Sequence, residues 1–206
     1  MTKRFDPIVF IVDDDEAVRD STALLVRSLS LRSETFASAQ EFLDDFDAQQ
    51  PGCIVLDVRM PGMSGLELQE VLAEKGATIP IIFITAHGDV PMAVSALKRG
   101  AMDFIQKPFR DQELIDKIQA ALCRDAEIRD AVADRERFKG RIALLTPRER
   151  EVMGLVVDGH ANKVIAAELG LSERTVEIHR ARVMAKMAAD SLARLVQMAL
   201  VVREND

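Results

Sequence analysis

Five polar positions each stand at the end of an apolar run. Asp13 and Asp14, with Asp15, follow Ile-Val-Phe-Ile-Val at positions 8–12. Asp57 follows Cys53-Ile54-Val55-Leu56, Thr85 ends the run 79–85, and Lys107-Pro108 closes the run 101–106. A carboxylate at the end of a buried run is costly unless something compensates it. Acids gathered in one crevice repel, and a divalent cation removes the conflict. All-oxygen ligation with room for water suits Mg²⁺. Carboxylate, hydroxyl, ammonium and metal on one rim are the parts of a phosphoryl-transfer site. Asp57 is best placed as the nucleophile and would carry the group as an acyl phosphate.

The elements that must hold these residues follow from the pattern around them. Short apolar runs bounded by turn residues read as strands buried on both faces. Strands are expected over 8–12, 32–36, 52–57, 79–85 and 101–106. Helical spacing is expected between them: Glu16 to about Leu29, Ser38 to about Phe46 with a Ser38/Glu41 capping box, Ser64 or Gly65 to Gly76, Pro91 to Gly100, and from Asp111 onward. Five alternations of apolar strand and helix predict an α/β fold, a doubly wound five-stranded parallel sheet. In strand order 2-1-3-4-5 the first and third strands are neighbours at the switch point, so Asp13, Asp14 and Asp57 converge there. Thr85 and Lys107 face the same rim. The first strand is followed by acids where a nucleotide-binding fold needs a glycine-rich phosphate loop, which excludes that class.

Composition is that of an ordinary globular protein, 48% hydrophobic and 30% charged. No apolar run reaches the length of a membrane span, and the first residues lack a signal peptide, so a cytoplasmic protein with no membrane partner is expected. Cys53 and Cys123 fit no metal spacing and are expected as reduced thiols. The net charge of −7 is uneven. Residues 141–206 hold 10 Lys and Arg against 9 Asp and Glu; the remainder hold 17 against 25. Different partners at the two ends are indicated.

Helix formers run on from Asp111 to about Lys139 and become highly charged after Arg124. A solvated helical linker over 123–144, ending at Gly140, is expected between a first domain over 1–122 and a second over 145–206. Thr146-Pro147-Arg148-Glu149 opens the second domain with an N-cap, an N1 proline and an early acid. Helices follow from there to Gly159, over Asn162–Leu169, over Glu173–Met187 and from Ser191. Two short helices joined by Gly-Leu-Ser form a helix-turn-helix.

Residues 8–122 resemble the receiver domain of two-component response regulators. Asp13-Asp14, Asp57, Thr85 and Lys107-Pro108 match that family's signature, and His87-Gly88-Asp89-Val90-Pro91-Met92-Ala93-Val94 resembles its FixJ branch. The resemblance implies that Asp57 accepts phosphate from a sensor histidine kinase. It implies Mg²⁺ on Asp14, Asp57 and the carbonyl of Arg59, with Asp13 acting through water, and Lys107 and Thr85 on the phosphoryl group. It makes Thr85 and Phe104 a switch, with Phe104 rotating inward behind the Thr85 hydroxyl. A homodimer of the phosphorylated form is expected through Val90, Met92, Val94, Phe104 and Arg110. Asp15 is expected as a helix-start acid, and His87 as structural.

Residues 145–202 resemble the LuxR-type helix-turn-helix domain, through Leu145-Thr146-Pro147-Arg148-Glu149-Arg150-Glu151-Val152, Gly159, Asn162-Lys163, Ile165-Ala166, Leu171-Ser172, Thr175-Val176, His179 and Lys186. Val176, His179, Val183 and Met187 share an inward face. Arg174, Glu177, Ile178, Ala181, Arg182 and Ala185 look outward, and the family's base-reading positions fall on Glu177, Ile178 and Ala181. Arg174 and Thr175 join the DNA-contacting set, and Lys163, Arg180, Arg182 and Lys186 are expected to hold phosphates. Glu149 and Glu151 are expected as cap or salt-bridge groups. The whole reads as a phosphorylation-controlled transcription regulator on promoter DNA, its two readers on half-sites about one helical turn apart, with RNA polymerase as a further expected contact. It is not an enzyme beyond self-phosphorylation and slow autodephosphorylation: no second general-base aspartate follows Asp57 at the spacing a phosphatase needs. The competing reading is a constitutive DNA-binding protein whose receiver serves only for dimerisation.

Overall fold

Side chains that avoid water dictate the first half of the chain. In the computed structural model, residues 6–86 and 90–203 are described, the side chains of 90, 91, 202 and 203 excepted. The first half runs β1 (Ile8–Val12), α1 (Glu16–Ser28), β2 (Arg32–Phe36), α2 (Ala39–Asp45), β3 (Gly52–Asp57), α3 (Gly65–Glu74), β4 (Ile81–Thr85), α4 (Val90–Lys98), β5 (Asp103–Gln106) and α5 (Asp111–Ala143). All five strands pair in parallel, in the order β2-β1-β3-β4-β5. β1, β3 and β4 are buried at every residue, as a sheet covered on both faces requires.

Alternate side chains of each strand feed two separate cores. Phe10, Val12, Ile54, Leu56 and Phe83 pack with Phe42 of α2, Leu68 and Leu72 of α3 and Ala96 of α4. Val9, Ile11, Val55, Ile82, Ile84 and Ile105 pack with Ala23 and Val26 of α1 and with Leu114, Ile118 and Ala121 of α5. The sheet is thus one layer between two layers of helices, with every strand's carboxyl end on one edge.

Several boundaries differ from the sequence expectation. β4 starts at Ile81 rather than Ile79, although the Pro80 carbonyl still accepts from Ile54 N at 2.9 Å. Proline has no N–H to complete the ladder there. β5 starts at Asp103 because Ala101 N is used on the Ala96 carbonyl, closing the end of α4. Ser38 caps α2 by accepting from Glu41 N, but the Glu41 carboxylate reaches Ala37 N rather than completing the expected box. Ser64 and Glu67 do make a reciprocal box at α3. The helix expected to stop at Gly140 continues to Ala143. A helical glycine costs about 1 kcal/mol relative to alanine; burial of Phe138 and Leu145 on either side holds the turn.

Gly65 begins α3 hard against the strand that carries Asp57. A Cβ at Gly65 would lie 2.2 Å from the Asp57 carbonyl oxygen. Gly65→Ala is therefore expected to destabilise the fold by about 1–3 kcal/mol, read as a lower urea midpoint with an unchanged slope.

The chain divides into two units, one up to Arg129 and one from Asp130. The second contains α6 (Pro147–Val157), α7 (Asn162–Leu169), α8 (Glu173–Met187) and α9 (Leu192–Arg203). Its core joins Phe138, Leu145, Val152, Ile165, Val176, Val183, Met187, Leu195 and Met198. α7 ends on Gly170 at φ 66°, a left-handed position that favours glycine, and Ser172 caps α8 two residues later. That tight reversal makes α7 and α8 a helix-turn-helix.

Candidate functional site

The carboxyl edge of the sheet gathers the acids of the first unit. Asp13 lies just beyond β1 and Asp57 ends β3; they are 1% and 6% exposed. Lys107 follows β5, held in place because its N–H donates to the Thr85 carbonyl at 2.8 Å. Its ammonium donates to Asp13 Oδ2 at 2.6 Å and to Asp57 Oδ1 at 3.1 Å. The remaining oxygens are also held: Asp13 Oδ1 accepts from Asp15 N at 2.9 Å, and Asp57 Oδ2 from Arg59 N at 2.7 Å. Arg19 donates to the Asp13 carbonyl. Asp15 caps α1 by accepting from Ala17 N. Asp14 is exposed, and Thr85 is buried at the end of β4, one residue past the partner of Asp57. The Lys107–Pro108 peptide is cis.

One ammonium does not offset this burial. Burial pushes the Asp57 carboxyl above its ordinary range, although Lys107 and the Arg59 N–H pull it down and Asp13 adds to the rise. Burial lowers the Lys107 ammonium, but its hydrogen bonds to Asp13 and Asp57 outweigh that and raise it. The rim thus carries uncompensated negative charge on hard oxygen donors, which fits a divalent cation. Among the described residues no three His, Cys, Asp or Glu side chains form a metal cluster by themselves. A cation here would need backbone oxygen and water as well, the mode Mg²⁺ uses.

Phe104 is half-buried against the core, paired in register with Phe83. Of the surface candidates on this side, Val94 and Arg110 are exposed and Met92 is half-buried. His87 lies outside the described residues, as does the side chain of Val90.

In the second unit α8 presents two unlike faces. Val176, Val183 and Met187 are buried and His179 is half-buried. Arg174, Glu177, Ile178, Ala181, Arg182 and Ala185 are exposed, and so is Lys163 on α7. Ile178 is an apolar side chain 46% exposed between charged neighbours. Three of the candidate DNA contacts have partners inside the protein. The Lys186 ammonium donates to Glu149 Oε2 at 2.6 Å and to the Leu144 carbonyl at 3.1 Å. Arg180 donates to Asn162 Oδ1 at 3.0 Å. The Thr175 hydroxyl shares a hydrogen bond with Ser172. Lys186 therefore acts first as the counter-charge of a buried acid, a role its position on the helix does not reveal.

Glu149 is that acid. It completes a capping box with Thr146, and the Lys186 hydrogen bond, then the Thr146 N–H, hold its carboxyl down at about 2. A depressed carboxyl stabilises the fold above its ordinary value of 4.5 and loses that contribution as pH falls toward about 2. Acid titration of the full chain is expected to show the helix-turn-helix unit weakening over that interval. Glu149→Gln should remove this pH dependence, as followed by hydrogen exchange in α6.

Two residues expected in a solvated linker turn inward instead. Asp125 is 1% exposed and accepts from Gly52 N at 2.9 Å. Arg129 pairs with Asp125 at 2.8 Å and donates to the carbonyls of Ala48, Gln49 and Gln50. The signal available was their i,i+4 spacing on the stripe that begins Leu114, Ile118, Ala121. Cys53 is buried beside them, its thiol pushed up to about 12 by burial and by the Asp125 charge, while Cys123 is exposed.

Residues 9–119 match the family described as response regulator receiver domain, and residues 143–199 match bacterial regulatory proteins, luxR family. Nodulation protein W of Bradyrhizobium diazoefficiens is 51% identical over 93% of this chain and 84% of its own length. Transcriptional regulatory protein FixJ of Azorhizobium caulinodans is 50% identical over 94% of this chain and 92% of its own. Among solved structures, response regulator StyR superposes with a TM-score of 0.83 at 47% identity, covering 95% of this chain and 98% of that one. Full-length FixJ from B. japonicum superposes with a TM-score of 0.60 at 40% identity, covering 98% and 100%.

Proposed function

Because the chain belongs to the response regulators that join a receiver domain to a LuxR-family DNA-binding domain, we propose that phosphorylation of Asp57 sets its affinity for promoter DNA. As a member of that family it is a transcription regulator and not a classical enzyme, with a histidine kinase and DNA as partners. The observation that supports Asp57 as acceptor is the Lys107 ammonium bridging the buried Asp13 and Asp57 carboxylates.

The chemistry proposed is a single transfer. An Asp57 carboxylate oxygen attacks phosphorus, the bond from phosphorus to the kinase imidazole nitrogen breaks, and that nitrogen keeps the electron pair. Lys107 is already placed at Asp57 to offset charge on the incoming oxygens, and the Arg59 N–H orients the carboxylate. Mg²⁺ held by Asp14, Asp57 and the Arg59 carbonyl, with Asp13 through water, would neutralise phosphoryl oxygens. The Thr85 hydroxyl then turns toward the phosphoryl group and Phe104 moves inward, altering the surface that carries Met92, Val94 and Arg110. Two phosphorylated chains pair there in the cytoplasm and place two copies of α8 on neighbouring half-sites, where RNA polymerase can meet them.

The test uses acetyl phosphate and a duplex enriched from a random-sequence library by the donor-treated chain. Affinity is expected to rise roughly tenfold or more with donor and Mg²⁺, within the usual span of allosteric coupling. Equal affinity with and without donor would overturn the reading in favour of a constitutive binder with a dimerising receiver.

A further inference from the structure

The Asp125–Arg129 pair stands where the packing of α5 predicts an apolar residue. Leu114, Ile118 and Ala121 are fully buried against the sheet, and the next position on that stripe is an acid. A buried ion pair is weak grounds for stability, since an apolar residue of similar volume often does as well. What an apolar residue cannot do is fix position along the strand. Asp125 Oδ2 takes the N–H of Gly52, the first residue of β3. Arg129 takes the three carbonyls just before it, from Ala48 to Gln50. β3 carries Gly52 at one end and Asp57 at the other. The segment of α5 beyond the receiver match, which ends at residue 119, is thus fastened to the strand that bears the proposed acceptor.

We infer that Asp125 and Arg129 are positioning residues that pass the phosphorylation state of β3 to the linker part of α5. The inference rests on the function proposed above. A shift of β3 is carried along a strand paired to β4 from Asp57 to Ile54 and to β1 from Leu56 to Gly52, and there by directional hydrogen bonds to one face of α5. Without the pair, α5 remains packed through Ile118 and Ala121 but loses its fixed register on β3.

The experiment compares the full unsubstituted chain with Arg129→Gln and Arg129→Lys. Lysine keeps the charge but has no planar fork to span three carbonyls. Two readouts are taken: labelling by acetyl phosphate, and the ratio of affinities for the library-selected duplex with and without donor. Both variants are expected to take label at the unsubstituted rate and to bind DNA equally without donor. Their gain with donor falls from roughly tenfold to about twofold or less. A full gain in a labelled variant would overturn the inference and leave the pair a structural staple. Loss of labelling in both variants would also overturn it, placing the pair in assembly of the acceptor site. An unsubstituted chain that takes label without gaining affinity would instead sink the proposed function.

Discussion

Asp57→Asn is expected to abolish labelling by acetyl phosphate and the donor-dependent gain in DNA affinity, while raising the thermal midpoint of the unphosphorylated chain at neutral pH. The two effects have opposite origins. Asparagine keeps a similar volume and an oxygen for the Arg59 N–H, but it lacks the anionic oxygen that attacks phosphorus. Stability rises because burial has already lifted the Asp57 carboxyl above its ordinary value. A raised carboxyl contributes stability below its unfolded value and loses it as pH rises through the folded value. Burying the Asp57 charge is therefore a net cost, and Lys107 keeps Asp13 as a partner when that charge is removed. Labelling by radioactive donor and a thermal melt give both answers. Persistent labelling would remove Asp57 from the acceptor role, and a lower midpoint would contradict the electrostatic account of the rim.

The second large effect separates cations that face solvent from one that does not. Lys163 and Arg182 are exposed. Replacing both by alanine is expected to weaken DNA binding on every sequence and to flatten the salt dependence by about one unit for each phosphate left without its cation. Lys186→Ala should leave that slope unchanged and lower the thermal midpoint of the helix-turn-helix unit. The reason is that Glu149, 2% exposed, would be deprived of the ammonium that compensates it. Leaving one member of a buried pair alone is the costly case. Salt titrations of binding, with melts of the same variants, check both. A flattened slope for Lys186→Ala would return that residue to the phosphate-binding set.

The sheet was legible because β1, β3 and β4 are apolar at consecutive positions, a pattern that only burial on both faces explains. The contact of Lys107 with Asp13 and Asp57 was legible because all three sit at the ends of such runs, on one edge of a parallel sheet. Strand starts at Ile81 and Asp103 were less visible: whether Pro80 and Ala101 extend a strand depends on which distant carbonyl or N–H they meet. The exposed face of α8 followed from its 3.6-residue period. The internal bond of Lys186 did not, because a cation's partner across 37 positions leaves no local trace. The Asp125–Arg129 pair was hidden by its surroundings, since charged residues dense enough to suggest solvent hide the two that turn inward.

The most direct measurement is to locate the acyl phosphate itself. The full chain is treated with acetyl phosphate and Mg²⁺ and reduced with borohydride, which converts an aspartyl phosphate to homoserine, and its peptides are then sequenced by mass spectrometry. Homoserine is expected at position 57 alone, dependent on Mg²⁺. Homoserine at Asp13 or Asp14, or none anywhere in a chain whose DNA affinity still responds to the donor, would contradict it.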